Sequence, residues 1–166
     1  MKSVTFKGMT TLAIKKKLER HLEDGFKPTL AVIFMSIKQD IKAVSELFEA
    51  RGIQIFGATT SGEFIDEDIE EGSVVVMLLD INEDYFKLKY LKTGNQSTLE
   101  NAKEIGGLGK RLFNNAGFII VSGWLTQDGE SIIEGIEEGY GSDVSIFGGM
   151  AGDELALEGP LGFTNS

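Results

Sequence analysis

Residues 30–57 read LAVIFMSIKQDIKAVSELFEARGIQIFG, and this stretch decides the fold class. Its opening run, Leu30 to Met35, is apolar without alternation, which suits a strand covered on both faces. Asp40 is placed to cap a helix whose Ile41, Val44, Leu47 and Phe48 form one stripe, and Gly52 supplies its stop. Ile53, Ile55 and Phe56 then open a second buried strand. Strand, helix and strand in that order make a βαβ unit, whose crossover is right-handed in nearly all cases.

Working outward, residues 9–24 read as an amphipathic helix with Ile14, Leu18 and Leu22 on one face and Gly25 as its stop. Residues 73–79 and 86–91 read as two strands of a hairpin, joined by the polar stretch 80–85. Ser97 with Glu100 fits a capping box for a third helix. That helix turns Leu99, Ala102, Ile105, Leu108 and Leu112 inward. It also contains Gly106, Gly107 and Gly109, each worth roughly 1 kcal/mol less than Ala in a helix. Two outcomes are open: the helix packs closely through these glycines, or it breaks at them. Residues 118–121, 128–140 and 144–147 form a second strand–helix–strand series.

The two βαβ units end alike. IFGATTSGE at 55–63 aligns without gaps on IFGGMAGDE at 146–154, with four of nine positions identical. Together with the matching element order, this predicts an internal duplication. The expected fold is an α/β layered sandwich around a mainly parallel, partly mixed sheet, built from the two βαβ units plus the hairpin. The strands at 30–35, 53–57, 117–121 and 144–148 are expected to lie parallel in one sheet, within a single domain spanning residues 1–166.

Composition narrows the function. With 166 residues and 42% hydrophobic content the chain can bury a core. Sixteen Lys and Arg against 26 Asp and Glu leave a net charge of −10, which repels a phosphate polymer and argues against nucleic-acid binding. There is no cysteine, so disulfides and thiolate chemistry are excluded. The one histidine, His21, sits between Arg20 and Leu22 on a charged helix, so a histidine metal site or a serine triad cannot be assembled. No segment has the length of a membrane helix or the pattern of a signal peptide, so a cytoplasmic location is expected. No metal or other cofactor is expected.

Fourteen of the 21 glycines fall after residue 105, and the informative ones lie at strand ends. Ligands of open α/β sheets bind outside the carboxyl ends of the strands. There, small residues expose backbone N–H groups as an anion nest, and hydroxyls give direction. The candidate ligand-binding residues are therefore Thr59, Thr60, Ser61, Gly62 and Glu63 after one strand, Ser122, Gly123 and Trp124 after another, and Gly148, Gly149, Met150 and Asp153 after a third. The competing reading is that these residues merely make tight turns. Trp124, the sole tryptophan, would wall a small ligand. If the three loops converge on a pocket, Thr60→Val and Ser61→Ala should cost binding and leave the melting temperature nearly unchanged. Residues 63–71 hold six acids; they lack the glycine and glutamate of a calcium loop, and a solvated acidic loop is expected.

At these loops the chain resembles the N-terminal domain of FIST proteins. The likeness rests on Gly57-Ala58-Thr59-Thr60-Ser61-Gly62-Glu63, on Phe147-Gly148-Gly149-Met150-Ala151-Gly152-Asp153 followed by Gly162-Phe163-Thr164, and on the turn from Gly123 to Glu130. The resemblance implies an intracellular sensory module that binds a small metabolite, such as an amino acid, and works beside a signalling output domain or protein. It carries no catalytic residues across. The family pattern runs on past the point where this chain stops at Ser166, so the resemblance implies a partial domain without the C-terminal FIST domain. Two rivals stand beside the sensor: an enzyme using Asp153 or Glu63 as acid or base, and a protein-interaction module, a homo-oligomer among its forms.

Overall fold

A computed structural model of the protein describes residues 2–65, 68–91, 96–123, 128–152 and 161–165. The chain divides into two compact units, residues 1–88 with 151–166, and residues 89–150.

The first unit is built on a five-stranded mixed sheet. Its elements are β1 (Lys2–Gly8), α1 (Thr11–Glu23), β2 (Leu30–Ser36), α2 (Ile41–Glu49), β3 (Gln54–Thr60), β4 (Glu63–Ile65), β5 (Asp68–Glu70), β6 (Val74–Asp80) and, near the C-terminus, β9 (Gly162–Phe163). The sheet order is β1-β6-β2-β3-β9. β2 and β3 are its parallel pair, joined through α2 as the βαβ reading requires, whereas β1–β6, β6–β2 and β3–β9 run antiparallel. The two most apolar strands, β2 and β6, occupy interior positions. Alternation along them sends Ile33, Met35, Val76 and Leu78 into the core with Phe6 and Ile55. α1 contributes Ile14 and Leu18 to this core, and α2 contributes Val44 and Phe48. The helices lie side by side, with Arg51 reaching Glu19 at 3.3 Å.

Local signals in the sequence explain the helix ends. Thr10 and Asp40 cap α1 and α2 by accepting from the amides of Ala13 (3.2 Å) and Ala43 (2.9 Å). Beyond their ends, Gly25 and Gly52 take left-handed φ of 78° and 70°, which a side chain would resist.

The second unit contains α3 (Thr98–Leu112), β7 (Gly117–Gly123), α4 (Gly129–Tyr140) and β8 (Ser145–Ala151), whose last residue is counted with the first unit. The capping box at Ser97 and Glu100 is present; the Ser97 amide first, then its hydroxyl, holds Glu100 below the ordinary glutamate range. Asp128 caps α4 and is likewise lowered, first by the Ser131 hydroxyl and then by the amides of Glu130 and Ser131. The α3 helix does not break at its glycines. A Cβ on Gly106 would meet the Ile136 carbonyl oxygen at 2.5 Å, and one on Gly135 would meet that of Leu99 at 2.5 Å, so the two helices approach backbone to backbone. Gly109 in turn gives room to the ring of Phe118 on β7.

Four expectations need correction. First, β7 and β8 form a two-stranded sheet of their own, so the four strands of the two βαβ units do not share one sheet among the described residues. The α/β class stands, and both units exist, but the motif IFG sits in unlike surroundings. Gly57 lies under the ring of Phe163, and Gly148, with φ of 152°, lies against the carbonyl of Ile120. Second, residues 86–91 form no strand, because the partner of β6 is β1, a strand not anticipated in the sequence. Third, the acidic stretch 63–71 is not a plain loop: β4 and β5 pair within it as an antiparallel hairpin. The fourth concerns Thr60 and is given with the site.

Candidate functional site

The carboxyl ends of the parallel pair carry a buried polar cluster. Ser36, the last residue of β2, lies opposite Thr60, the last of β3. The chain then turns through Ser61 and Gly62 and enters β4 at Glu63. Glu63 is only 2% exposed, although it belongs to the most acidic stretch of the protein. Its Oε1 accepts a hydrogen bond from the Thr60 hydroxyl at 2.7 Å. Its Oε2 accepts from the Ser73 backbone N–H at 2.9 Å and from the Ser73 hydroxyl at 3.2 Å. Ser73 is itself fully buried at the head of β6, and its carbonyl accepts from the Ser36 amide at 3.0 Å. One carboxylate thus ties the end of β3 to the start of β6. A buried charge is tolerable only with such a set of donors.

This geometry changes what Thr60 does. Its hydroxyl serves a carboxylate that is only 2% exposed, so Thr60→Val removes one of that group's few donors. The expectation of an unchanged melting temperature for that variant is therefore corrected: the variant should destabilise. Ser61 is exposed and a Cβ on Gly62 would meet nothing within 4 Å, whereas Gly152 packs against Ser61, where a Cβ would come within 2.8 Å of the Ser61 nitrogen.

Thr59 has a different task. It is fully buried, its amide donates to the Leu161 carbonyl at 2.9 Å, and its hydroxyl accepts from the Leu161 amide at 3.0 Å. Its carbonyl accepts from the Gly152 amide at 2.9 Å. Asn165 extends this clamp on β3, accepting from the Ile55 amide at 2.7 Å and donating to the Ile53 carbonyl at 3.0 Å. Thr59 is thus a fastening for the C-terminal segment.

The other candidates belong to the second unit or lie outside the described residues. Gly117 lies beside Ser145 and Ile120 beside Gly148, at the same offset along the chain, so β7 and β8 run in the same direction. Ser122 and Gly123 therefore finish at the same end of their sheet as Met150, while Gly149 is open around its Cα. Trp124 and Asp153 lie outside the described residues.

Ser73 and Ser36 were not singled out in the sequence. Nothing local marks them, because Ser73 meets Glu63 only once β4 folds back on β6. A cleft of about 430 Å³, lined by Lys2, Ser3, Val4, His21, Asp24, Gly25 and Phe26, opens at the other end of the first unit's sheet. His21 stacks there on Phe6, with ring centroids 5.5 Å apart. Among the described residues no cluster of three or more His, Asp or Glu is arranged to hold a metal ion. No helix among them is long and apolar enough to cross a membrane.

The comparisons with known proteins agree with the strand-end motifs. The family model described as the FIST N domain matches residues 29–166. No curated protein and no solved structure matches the chain. The match takes in the whole of the β2–α2–β3 unit, the buried cluster behind it, the second βαβ unit and the clamp at the C-terminal segment, and on that extent the chain belongs to the FIST N domain family, a family of sensory signal-transduction domains.

Proposed function

We propose that this domain is a non-enzymatic cytoplasmic sensor that binds a small metabolite, an amino acid foremost, and passes the occupancy of its site to a signalling output partner. Family membership supports the sensory part. The observation that carries the ligand class is the Glu63 carboxylate, buried at the carboxyl ends of the parallel pair next to the turn of Ser61 and Gly62. An amino acid needs an acceptor for its ammonium group and donors for its carboxylate. Oε1 of Glu63 accepts from Thr60 and, as a carboxylate oxygen, has capacity for a second donor. The N–H groups of the turn and the Ser61 hydroxyl suit the carboxylate of the ligand.

One contact favours a second reading. Thr60 and Glu63, at 2.7 Å, form a hydroxyl–carboxylate pair of the kind that activates a nucleophile. Against it, Oε2 of Glu63 is already engaged by the amide and hydroxyl of Ser73, and the sensor reading is preferred.

A calorimetric and thermal-shift screen of the amino acids on the whole protein tests both. Binding at about 100 times Kd adds roughly 2.7 kcal/mol of stability. On the sensor reading Ser61→Ala weakens that binding about fivefold, the value of one hydrogen bond, in protein that remains folded. A ligand whose affinity ignores both Ser61→Ala and Thr60→Val moves the site elsewhere. Turnover that disappears in folded Glu63→Gln protein establishes the enzyme instead.

A further inference from the structure

The outer edge of β3 is gripped by the returning chain, which re-enters the first unit at Ala151. Every polar group of Thr59 is engaged there: its amide and hydroxyl by Leu161, its carbonyl by Gly152. Thr59 is fully buried, so loss of these partners would strand three polar groups away from water. Phe163 lays its ring over Gly57, filling the place a side chain would take, and packs against the core. Asn165 spans the Ile55 amide and the Ile53 carbonyl as a paired strand would.

The attachment is nevertheless short. β9 pairs with two residues of β3, Gly57 and Ala58, whereas β2 pairs with seven. Leu161 is 49% exposed, and residues 162–165 are half-buried. With the segment away, the main-chain groups of Ile53 and Ile55 lie on a sheet edge, where water can serve them. A segment with a short ladder and partial burial opens locally, ahead of the core.

The same grip meets the candidate site through one residue. Gly152 donates to the Thr59 carbonyl at 2.9 Å and also packs against Ser61. Thr60, between Thr59 and Ser61, holds Glu63. A shift of the turn at Ser61 therefore displaces Gly152, and with it one partner of Thr59.

We propose that residues 161–165 form a latch on β3, and that the Ser61 turn controls its release through Gly152 and Thr59. The latch is then the element that passes occupancy of the site onward, a step that rests on the metabolite reading above.

NMR-detected amide exchange of the full chain, without ligand, tests the latch and its control. Ile55, Thr59 and Leu161 report the latch, and Ile33 and Val76 report the core. Gly152→Ala is the probe, because its Cβ forces Gly152 and the turn apart. It should speed exchange at Ile55 and Leu161, which Gly152 does not bond, at least about tenfold and leave the core amides unchanged. Asn165→Ala loosens the latch from its other end. It should speed exchange at Thr59 and Leu161, which Asn165 does not bond, and, by the reciprocity of linked sites, at Gly152. A Gly152→Ala protein with wild-type exchange at Leu161 and Ile55 overturns the control. A rise shared equally by Ile33 and Val76 in both variants shows that the segment opens only with the core, and overturns the latch. No ligand enters these outcomes, so they are decided separately from the metabolite reading.

Discussion

At the scale of single residues, Glu63 shows how position and partner contribute separately. The sequence marks Glu63 because it follows a strand end and a turn of small hydroxylic residues. What it cannot mark is Ser73, ten positions on, whose amide and hydroxyl make the burial of a carboxylate tolerable. Seen alone, Glu63 in an acidic run looks solvated; with Thr60 and Ser73 in place it is a buried fastening. Glu63→Ala leaves the buried amide and hydroxyl of Ser73 and the half-buried hydroxyl of Thr60 without their acceptor and should cost about 2–4 kcal/mol in urea unfolding. Glu63→Gln should cost less, because its carbonyl can keep Ser73 while its amide meets a Thr60 hydroxyl rotated to accept. Wild-type stability in the alanine variant would mean that the cluster is not the tie described here.

At the scale of elements, the helices were legible and the strand partners were not. Caps and stops act within four residues, so Asp40, Ser97 with Glu100, Gly25 and Gly52 could be read directly. Pairing is decided at a distance. Residues 86–91 alternate as a strand should, yet they have no ladder, because β1 supplies the antiparallel neighbour of β6 from the far end of the chain. The glycines of α3 left two outcomes open, and the approach of α4 decides between them. This gives a paired prediction. A Cβ at Gly106 meets main-chain atoms of α4, the Ile136 oxygen at 2.5 Å and the Tyr140 nitrogen at 3.0 Å, which cannot yield without separating the helices. Gly106→Ala should therefore destabilise by about 1–3 kcal/mol, the usual range for overpacking, despite the better helix propensity. A Cβ at Gly107 meets only the Arg111 guanidinium, at 3.5 Å. Gly107→Ala should stabilise by up to about 1 kcal/mol, the propensity difference alone. Thermal unfolding of the two variants checks the opposite signs; equal effects would contradict the close helix contact.

At the scale of the whole molecule, the two units hold together by different means. The main apolar cluster, from Phe6 to Leu78, is drawn entirely from the first unit, where strands β1, β2, β3 and β6 interleave large apolar side chains with those of α1 and α2. In the second unit the buried positions include Ala102, Ile136 and three glycines, Gly106, Gly109 and Gly135. Close backbone contact gives good packing but removes little apolar area from water, and that area is the main source of stability. The sequence shows this asymmetry in the crowding of glycine after residue 105, where Gly106, Gly109 and Gly135 serve close packing rather than loop chemistry. Local opening should follow the same division. In native-state hydrogen exchange, the amides of β2 and β6 should be the slowest in the protein. Those of β7, β8 and α3 should exchange at least about 30-fold faster, corresponding to roughly 2 kcal/mol less protection. Mass spectrometry on peptides from 30–36, 74–80, 98–112 and 117–123 reads this directly. Uniform protection across the four would show that the glycine-packed unit opens only with the rest, and that its stability derives from the first unit's core.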